Sequence, residues 1–437
     1  MDMSDQGMKE RRRAVVVGGV RTPFVKAFSQ FIGLDTIALG VAASSALLRR
    51  YSLRGEEIDS IVWGGVILPP TAPNIAREIS LDLKLPAAVE GMTCTRACAS
   101  GLQAVTLAAA AIERGDADIV LAGGSDSTSN ASVTLPTKLT QALAPIAFGK
   151  AGAREYFGAL GQMWPLGEIL PRRPEIAERT TGEVMGAAAE RMARINGISR
   201  EAQDRFAVQS HVRAAAAMAA GRFATEVEPL AAADGAMVEG DTLVRANASV
   251  ERLAALEPVF AADGSVTAGN ASPLTDGAAA VLLMSEERAR ALGYRPLAAI
   301  RSWSYVGVDP ADQLLIGPAL AMPKALDRAG MKLGDVDVVE MHEAFAAQVL
   351  SVLKALGSRD FARAWLGRDD AVGELDPEAI NPHGGSLALG HPFGATGARI
   401  VTTLANELAQ KGQGSTGLIG ICAAGGLGAA AVLEGLG

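Results

Sequence analysis

The sequence predicts an α/β fold built from two similar halves, and three observations carry that prediction. Short, continuous apolar runs alternate with segments of helical periodicity, the pattern of a largely buried sheet flanked by helices. Glycine is abundant, at 49 residues, while aromatic residues make up only 4% of the chain, which favours tight helix–sheet packing and sharp turns over an all-β design. A unit made of a small-residue turn, a helix, a glycine break and an apolar strand begins at Ser100-Gly101 and recurs in the same order from Gly394. That is one twofold duplication, not a short-period solenoid.

Taken in order, residues 14–18 read as a short buried strand. Residues 35–50 place apolar side chains at a three-to-four spacing and read as a helix that Asp35 or Thr36 can cap. Residues 58–62 give a second strand. Residues 101–114 form a helix ended by Gly115, and 119–122 form a continuous apolar strand expected to stop at Gly123-Gly124. Residues 130–179 are different material, rich in proline, glycine and scattered basic residues (Lys138, Lys150, Arg154, Arg172, Arg173), with no clean period. Residues 182–221 are strongly helical, with Ala189, Met192, Ala193 and Ile195 on one side of the first part, and read as a helical insertion lying over the core. The sheet pattern resumes over 265–284, with a strand at 278–284, and another strand is expected at 336–341. In the second half, Gly394-Ala395-Thr396-Gly397 leads into a helix over 398–410. A glycine-rich break at 412–417 follows, then a strand at 418–422 ending at Gly425-Gly426.

The 437 residues suggest about three structural units at roughly 150 residues each, and 49% hydrophobic content is ample for a large core. A net charge of −8 gives no electrostatic footprint for nucleic acid. It does not bar a polyanionic ligand, because phosphates can be held by local backbone amides and a few basic groups. The cysteines, Cys94, Cys98 and Cys422, are too few and odd in number for a disulfide framework, so a reducing compartment is expected. Cys94-x-x-x-Cys98 has neither a second cysteine pair nor a neighbouring histidine, so no metal is expected. Residues 1–13 mix acidic and basic groups without the apolar core of a signal peptide. The apolar run at 101–112 is too short to span a bilayer, and a cytoplasmic location is expected.

Four segments could do chemistry. Cys98 lies in Thr95-Arg-Ala-Cys98-Ala-Ser-Gly-Leu, at the expected first turn of a helix and among small residues. An unperturbed thiol, with a pKa of about 8.5, is only a few per cent ionised at neutral pH. A helix N-terminus favours the thiolate by less than the shift required, so a histidine partner is expected. The competing reading is a small apolar core residue. That reading is preferred for Cys94, which precedes the helix. His391 lies in the glycine-dense loop Gly390-His391-Pro392-Phe-Gly394, where backbone can approach a ligand closely; the alternative is a loop histidine bonded to local backbone. His211 and His383 have no comparable setting and read as structural or surface groups. Cys422 ends an apolar strand before Ala-Ala-Gly425-Gly426, a turn whose amides can face developing negative charge, unless it is merely a buried strand-end cysteine. His342-Glu343-Ala344-Phe345 follows the strand expected at 336–341 and so sits where open α/β sheets place their sites, with a helix-capping pair as the bland alternative.

Together these segments resemble the thiolase family almost end to end. Arg21-Thr22-Pro23-Phe24, the C-A-S-G-L-Q-A stretch at Cys98, the V-T-A-G-N-A-S-P-L-T-D-G-A-A-A run over 266–280, H-E-A-F, G-H-P-F-G-A-T-G and C-A-A-G-G-L-G occur in family order. The resemblance implies a thiolase-like fold, with two βαβαβαββ halves forming a layered α-β-α-β-α core and a helical loop-domain insertion. The implied boundaries are 1–129 for the first part of the N-terminal half, 130–257 for a loop domain over the active site, 258–294 for the return to the N-terminal half, and 295–437 for the C-terminal half. It implies acetyl-CoA C-acyltransferase activity without a resident cofactor, coenzyme A being a substrate. Cys98 matches the nucleophile that becomes a thioester, His391 the base that activates it, and Cys422 the acid/base that protonates the departing acetyl-CoA enolate and deprotonates the incoming CoA. One oxyanion hole would use His391 with a water held by His342, and the other the amides of Cys98 and Ala424. Ser272, Ala344 and Phe345 match positions lining the pantetheine and thioester channel, and Glu343 a supporting position. Ala424 stands where many relatives have glycine, so its backbone angle should be one that alanine adopts.

His342 in place of the commoner asparagine, together with Asn381-Pro-His-Gly-Gly, most resembles the β subunit of fatty-acid oxidation trifunctional complexes and its anaerobic bacterial counterparts. That implies degradative 3-ketoacyl-CoA thiolysis, a homodimer or homotetramer, and a partner α subunit with hydratase and dehydrogenase activities. The 130–179 segment would then shape an acyl tunnel or face a membrane or partner. The rivals are a biosynthetic acetoacetyl-CoA thiolase, a decarboxylating ketoacyl synthase, in which Cys422 would have no role, and a non-catalytic acyl-CoA-binding subunit.

Overall fold

A computed structural model of the protein describes residues 12–133, 135–149, 152–165, 168, 170 and 177–437. Lys150, Arg172, Arg173 and nearly all of the 1–13 segment lie outside the described residues. The chain divides into two compact units, one of residues 131–177 and one of the remainder.

The larger unit is organised by a ten-stranded sheet. The strands run in the spatial order Val338–Met341, Thr416–Ala423, Leu427–Gly435, Ala298–Gly307, Ala14–Arg21, Thr275–Ser285, Ile119–Ser127, Ser60–Gly64, Glu90–Cys94, with the short Val25–Lys26 strand paired to Thr275–Ser285. Its two halves meet antiparallel at only two residue pairs, Val15 with Ala299 and Val16 with Ala298. The N-terminal half reads βαβαβαββ once the excursion between Ser127 and Thr275 is set aside.

Period-2 alternation explains why the apolar runs are continuous. Ala14, Val16, Ala279, Val281 and Leu283 face one core, while Val15, Val17, Ala278, Ala280 and Leu282 face another. Both faces of these two strands are covered, so consecutive positions along them are apolar. The middle core also holds the helices Ser100–Arg114 and Phe393–Lys411, packed together and shared by both half-sheets. The outer cores are covered by Thr36–Arg50 and Ile75–Asp82 on one side. Pro318–Ala329, Ala346–Leu356 and Met185–Asn196 cover the other. These are the five layers the resemblance implied.

Caps fall where the side chains allow. Asp35 accepts a hydrogen bond from the Ala38 amide at 2.8 Å and opens the first helix. Gly115, at φ 85°, closes Ser100–Arg114. No helix among the described residues is long and apolar enough to cross a membrane.

Two expectations need correction. The strand expected to stop at Gly123-Gly124 runs on to Ser127. Those glycines do not turn the chain. They make room, because a Cβ at Gly124 would collide with the backbone of Gly394 and one at Gly123 with Trp63 and the Ala279 carbonyl. Gly124→Ala is therefore expected to lower stability by about 1–3 kcal/mol or more, since the obstructing atom is main chain and cannot rotate away. Chemical denaturation checks this, and an unchanged midpoint would contradict the close packing. In the C-terminal half, the third strand of the repeat is replaced by one residue. Asn381, at φ 50°, donates its amide to the Val339 carbonyl at 3.0 Å, and its side chain pairs with both the N–H and the C=O of Met341, at 2.7 and 2.9 Å.

Candidate active site

The Glu90–Cys94 strand turns into the Ser100–Arg114 helix through a tight bend. Ala97 sits at φ 45°, a left-handed conformation that costs a non-glycine residue on the order of 1–3 kcal/mol. Ser100 holds the bend, its hydroxyl accepting from the Arg96 amide at 2.8 Å and donating to the Ala97 carbonyl at 2.6 Å. Cys98 therefore stands two residues ahead of the helix, not in its first turn as the sequence suggested, because Ala99 is the cap. Cys98 is half-buried. Desolvation pushes its thiol up to about 12, against the pull of the Ala424 N–H and its own N–H, with Asp126 adding to the push. A helix end is thus not what would ionise this sulfur. It needs a base at close range.

Two imidazoles supply that range. The Cys98 sulfur and a ring nitrogen from each of His342 and His391 all lie within 4.8 Å of one another. The two rings lie 4.1 Å apart, tilted by 43°. His342 follows the Val338–Met341 strand, and His391 opens the Phe393–Lys411 helix, its amide donating to Thr275 Oγ1 at 2.9 Å. Each ring is anchored through Nδ1, His342 to Ser386 Oγ at 2.8 Å and His391 to Thr396 Oγ1 at 2.7 Å. Each Nε2 is buried and makes no hydrogen bond within the protein. Burial drives His391 down to about 3, with the Arg399 charge adding to it. His342 is likewise driven well below its usual range by burial, then by His391 and Arg399. Both rings are therefore neutral across the physiological range. The sulfur and two nitrogens are close enough to ligate a divalent cation, but only if both Nε2 atoms present lone pairs at once; the cluster is hidden in the sequence because the histidines lie far from Cys98 along the chain.

Cys422, 1% exposed, is the penultimate residue of the Thr416–Ala423 strand and neighbours Cys98. Burial holds its thiol well above the ordinary value, and the neighbouring Cys98 sulfur adds to that. Ala424 follows at an ordinary negative φ, and the left-handed turn positions fall on Gly425 and Gly426, at 83° and 67°. Glu343 commits its carboxylate to the surrounding scaffold, accepting from Ser210 at 2.7 Å, Asn381 at 2.6 Å and the Leu387 amide at 3.1 Å. Ser272 donates its amide to the Ala344 carbonyl at 2.9 Å, and Ala271 bridges to Phe345, so these three positions share one short ladder next to the site loop. Cys94 stays apart, its thiol pushed up to about 11 by burial. His211 is buried, accepting from the Arg245 amide, and His383 pairs with Glu407 at 2.8 Å.

Sequence reasoning missed the supports: Ser100, Asp126, Ser386, Thr396 and Arg399. Asp126 is fully buried and accepts from the amides of Val66, Ile67 and Gly394, which ties the His391 loop to the N-terminal half. Burial raises its carboxyl to about 6 against those bonds. A faint signal existed for two of them, since Thr396 and Arg399 follow His391 within about two helical turns.

The chain matches the thiolase N-terminal domain over residues 14–287 and the thiolase C-terminal domain over 294–435. The chain belongs to the thiolase family. Among curated relatives, the 3-ketoacyl-CoA thiolase of Aeromonas salmonicida is 45% identical over 432 residues, covering 98% of each chain. That of Shewanella pealeana is 44% identical over 426 residues, covering 97% of each. Among solved structures, this thiolase resembles human mitochondrial 3-ketoacyl-CoA thiolase at a TM-score of 0.82 and 30% identity, covering 98% of this chain and 99% of that one. The Bacillus anthracis acetyl-CoA acetyltransferase compares at 0.82 and 32%, with the same coverage. As a thiolase, the protein is an acyltransferase.

Proposed function

We propose that this thiolase cleaves 3-ketoacyl-CoA with coenzyme A, releasing acetyl-CoA and an acyl-CoA shortened by the acetyl unit, in fatty-acid degradation. The observation that supports it most is the meeting of the Cys98 sulfur with two neutral imidazoles, with Cys422 beside that sulfur and both outward ring nitrogens uncommitted. His391 Nε2 takes the Cys98 proton and the thiolate attacks the ketone carbon. The resulting oxyanion is held by the amides of Cys98 and Ala424, donors that commonly contribute about 2.7–4 kcal/mol each. The C–C bond then breaks, leaving an acyl thioester on Cys98. The electron pair passes to the acetyl-CoA enolate, whose oxygen faces His342 and the now protonated His391, and Cys422 gives its proton to the enolate carbon. The Cys422 thiolate next deprotonates incoming CoA. The CoA thiolate attacks the acyl group, and Cys98 leaves and recovers its proton from His391. Glu343 is a scaffold in this scheme, and Ser272, Ala344 and Phe345 line the thioester channel.

A lowered imidazole value means the base persists as pH falls. The acid limb of kcat/KM for thiolysis is expected well below pH 6.5, and a limb centred near 6.5 would show a solvated His391.

Identity favours the degradative reading, because the curated relatives at 44–45% bear the 3-ketoacyl name. The solved structures do not discriminate, since the acetyl-CoA acetyltransferase, which stands for the biosynthetic alternative, is 32% identical and the human 3-ketoacyl-CoA thiolase 30%. Thiolysis of acetoacetyl-CoA against 3-ketopalmitoyl-CoA separates them. Activity on the long chain is expected, and activity confined to acetoacetyl-CoA would overturn the reading. Residues 131–177 form their own unit with two helices, Thr137–Phe148 and Ala153–Gln162, and expose Phe148, Phe157, Leu160 and Trp164. In this proposal that apolar surface serves an acyl chain, a membrane or an α subunit of a cytoplasmic oxidation complex built on a homodimer or homotetramer. Deleting residues 138–173 should change chain-length preference, liposome binding or partner capture, and no change in any of them would dismiss the role.

A further inference from the structure

His342 and His391 are chemically identical side chains, 4.1 Å apart, each neutral and each presenting an uncommitted Nε2 to the same space. A neutral imidazole offers either a proton or a lone pair at Nε2, and the hydrogen bond at Nδ1 selects which. The two Nδ1 partners differ in what else they touch. Ser386 Oγ receives a hydrogen bond from Arg399 Nη2 at 3.2 Å, and its other partner among the described residues is His342 Nδ1. A guanidinium cannot accept. The Ser386 hydroxyl proton therefore has one acceptor within reach, the His342 Nδ1 lone pair. If Nδ1 carried the proton instead, the Ser386 hydroxyl would be left buried without an acceptor, a penalty that disfavours this form by roughly tenfold to a hundredfold. His342 is thereby held with its proton on Nε2.

Thr396 does the reverse for His391. Its hydroxyl lies 3.0 Å from the Pro392 carbonyl, which only accepts, and 2.7 Å from His391 Nδ1. With the Thr396 proton on Pro392, Nδ1–H donates to Thr396 and both bonds form. The opposite tautomer forms only one of them. His391 is held with a lone pair on Nε2, facing Cys98.

We infer that Ser386, oriented by Arg399, and Thr396 set the two histidines in opposite tautomers, so that one imidazole donates a proton to the substrate oxygen while its neighbour accepts one from the nucleophile. Ser386, Arg399 and Thr396 are positioning residues. Arg399 is 1% exposed and faces Glu340 at 3.8 Å without a hydrogen bond between them, and its charge adds to the burial that keeps both rings from becoming cationic in the resting enzyme. This arrangement gives the site a ready-made electrophile before any proton has moved, whereas His391 can donate only after it has taken the Cys98 proton. The inference rests on the thiolase reading for its consequence, but not for its first observable.

That observable is the tautomer itself. The chain contains only four histidines, which makes ring-nitrogen NMR of the 15N-histidine-labelled full-length enzyme assignable by substitution. The resting enzyme should show His342 protonated at Nε2 and His391 protonated at Nδ1. The same tautomer on both rings, or the reversed pair, overturns the proposal without any mutant. In Ser386→Ala, the His342 signals should move toward the other tautomer or a mixture. The kcat for 3-ketoacyl-CoA thiolysis should fall on the order of tenfold to a hundredfold, with KM changed less than about twofold. Ser386→Thr, which keeps the hydroxyl, should restore both. A loss of kcat with the His342 tautomer unchanged would make Ser386 merely structural and sink the idea. Expected tautomers in an enzyme that fails to cleave any 3-ketoacyl-CoA would instead overturn the proposed function and leave the tautomer assignment standing.

Discussion

Cys98→Ala should abolish formation of an acyl-enzyme and lower turnover on the order of a millionfold, the scale seen when a covalent nucleophile is removed. Cys98 Sγ is the sulfur that lies with both imidazole nitrogens, and the Ala424 amide points at it. Removing it leaves His391 without a proton to take and the carbonyl carbon without an attacking group. The fold should tolerate the change, since Cys98 is half-buried and the bend around it is held by Ser100. Intact-mass measurement after mixing with 3-ketoacyl-CoA in the absence of CoA is the test. The parent enzyme should gain the mass of an acyl group and the variant should gain none. An adduct on the variant would move the nucleophile elsewhere and dissolve the proposed mechanism.

Cys422→Ser should leave slow acylation at best and block turnover, a loss of about 10²–10⁴ in kcat for a misfitted general acid and base. Burial and the adjacent Cys98 sulfur keep the Cys422 thiol protonated in the resting enzyme, so its proton is available when the enolate forms. Once Cys98 carries an acyl group its sulfur cannot become a thiolate, so the thiolate formed on Cys422 has no second sulfur anion beside it. A serine hydroxyl ionises far less readily in the same setting. Exchange of the acetyl-CoA methyl protons with deuterated solvent reads this step directly. It should be rapid in the parent enzyme and absent in the variant, and unimpaired exchange would assign the proton transfer to another group.

Much of this architecture is legible in the amino-acid sequence, for a physical reason. A sheet covered on both faces writes continuous apolar runs, and the helices between them carry their own period. The misreadings came from residues whose role is set by something distant in the chain. Gly123 and Gly124 look like a strand end, but they accommodate Trp63 and the main chain of Gly394. The missing third strand of the second half is undetectable because the Asn381 side chain substitutes for it. The same division holds at the site. Cys98, His391, Cys422 and His342 sit in glycine-rich or strand-end segments that draw notice by themselves. Ser386, Thr396, Arg399 and Asp126 are ordinary residues in sequence, and their meaning lies in partners up to 268 positions away. Cys98 showed the opposite fault. Its helix was obvious, but the bend at Ala97 places the sulfur ahead of the helix end, where burial outweighs the dipole.

The central helices bring their glycines face to face. A Cβ on Gly101 would come within 2.8 Å of the Ala398 nitrogen, and one on Gly397 within 3.0 Å of the Gly101 carbonyl carbon. One helix follows Cys98 and the other follows His391. The spacing between attacking atom and proton acceptor is thus gauged by peptide against peptide, the stiffest ruler a polypeptide owns. Rotamer changes and volume drift in the surrounding aliphatic layers can be absorbed without retuning that gap. A single added methyl at either contact point would wedge the two reactive groups apart from a distance, with no reactive atom altered.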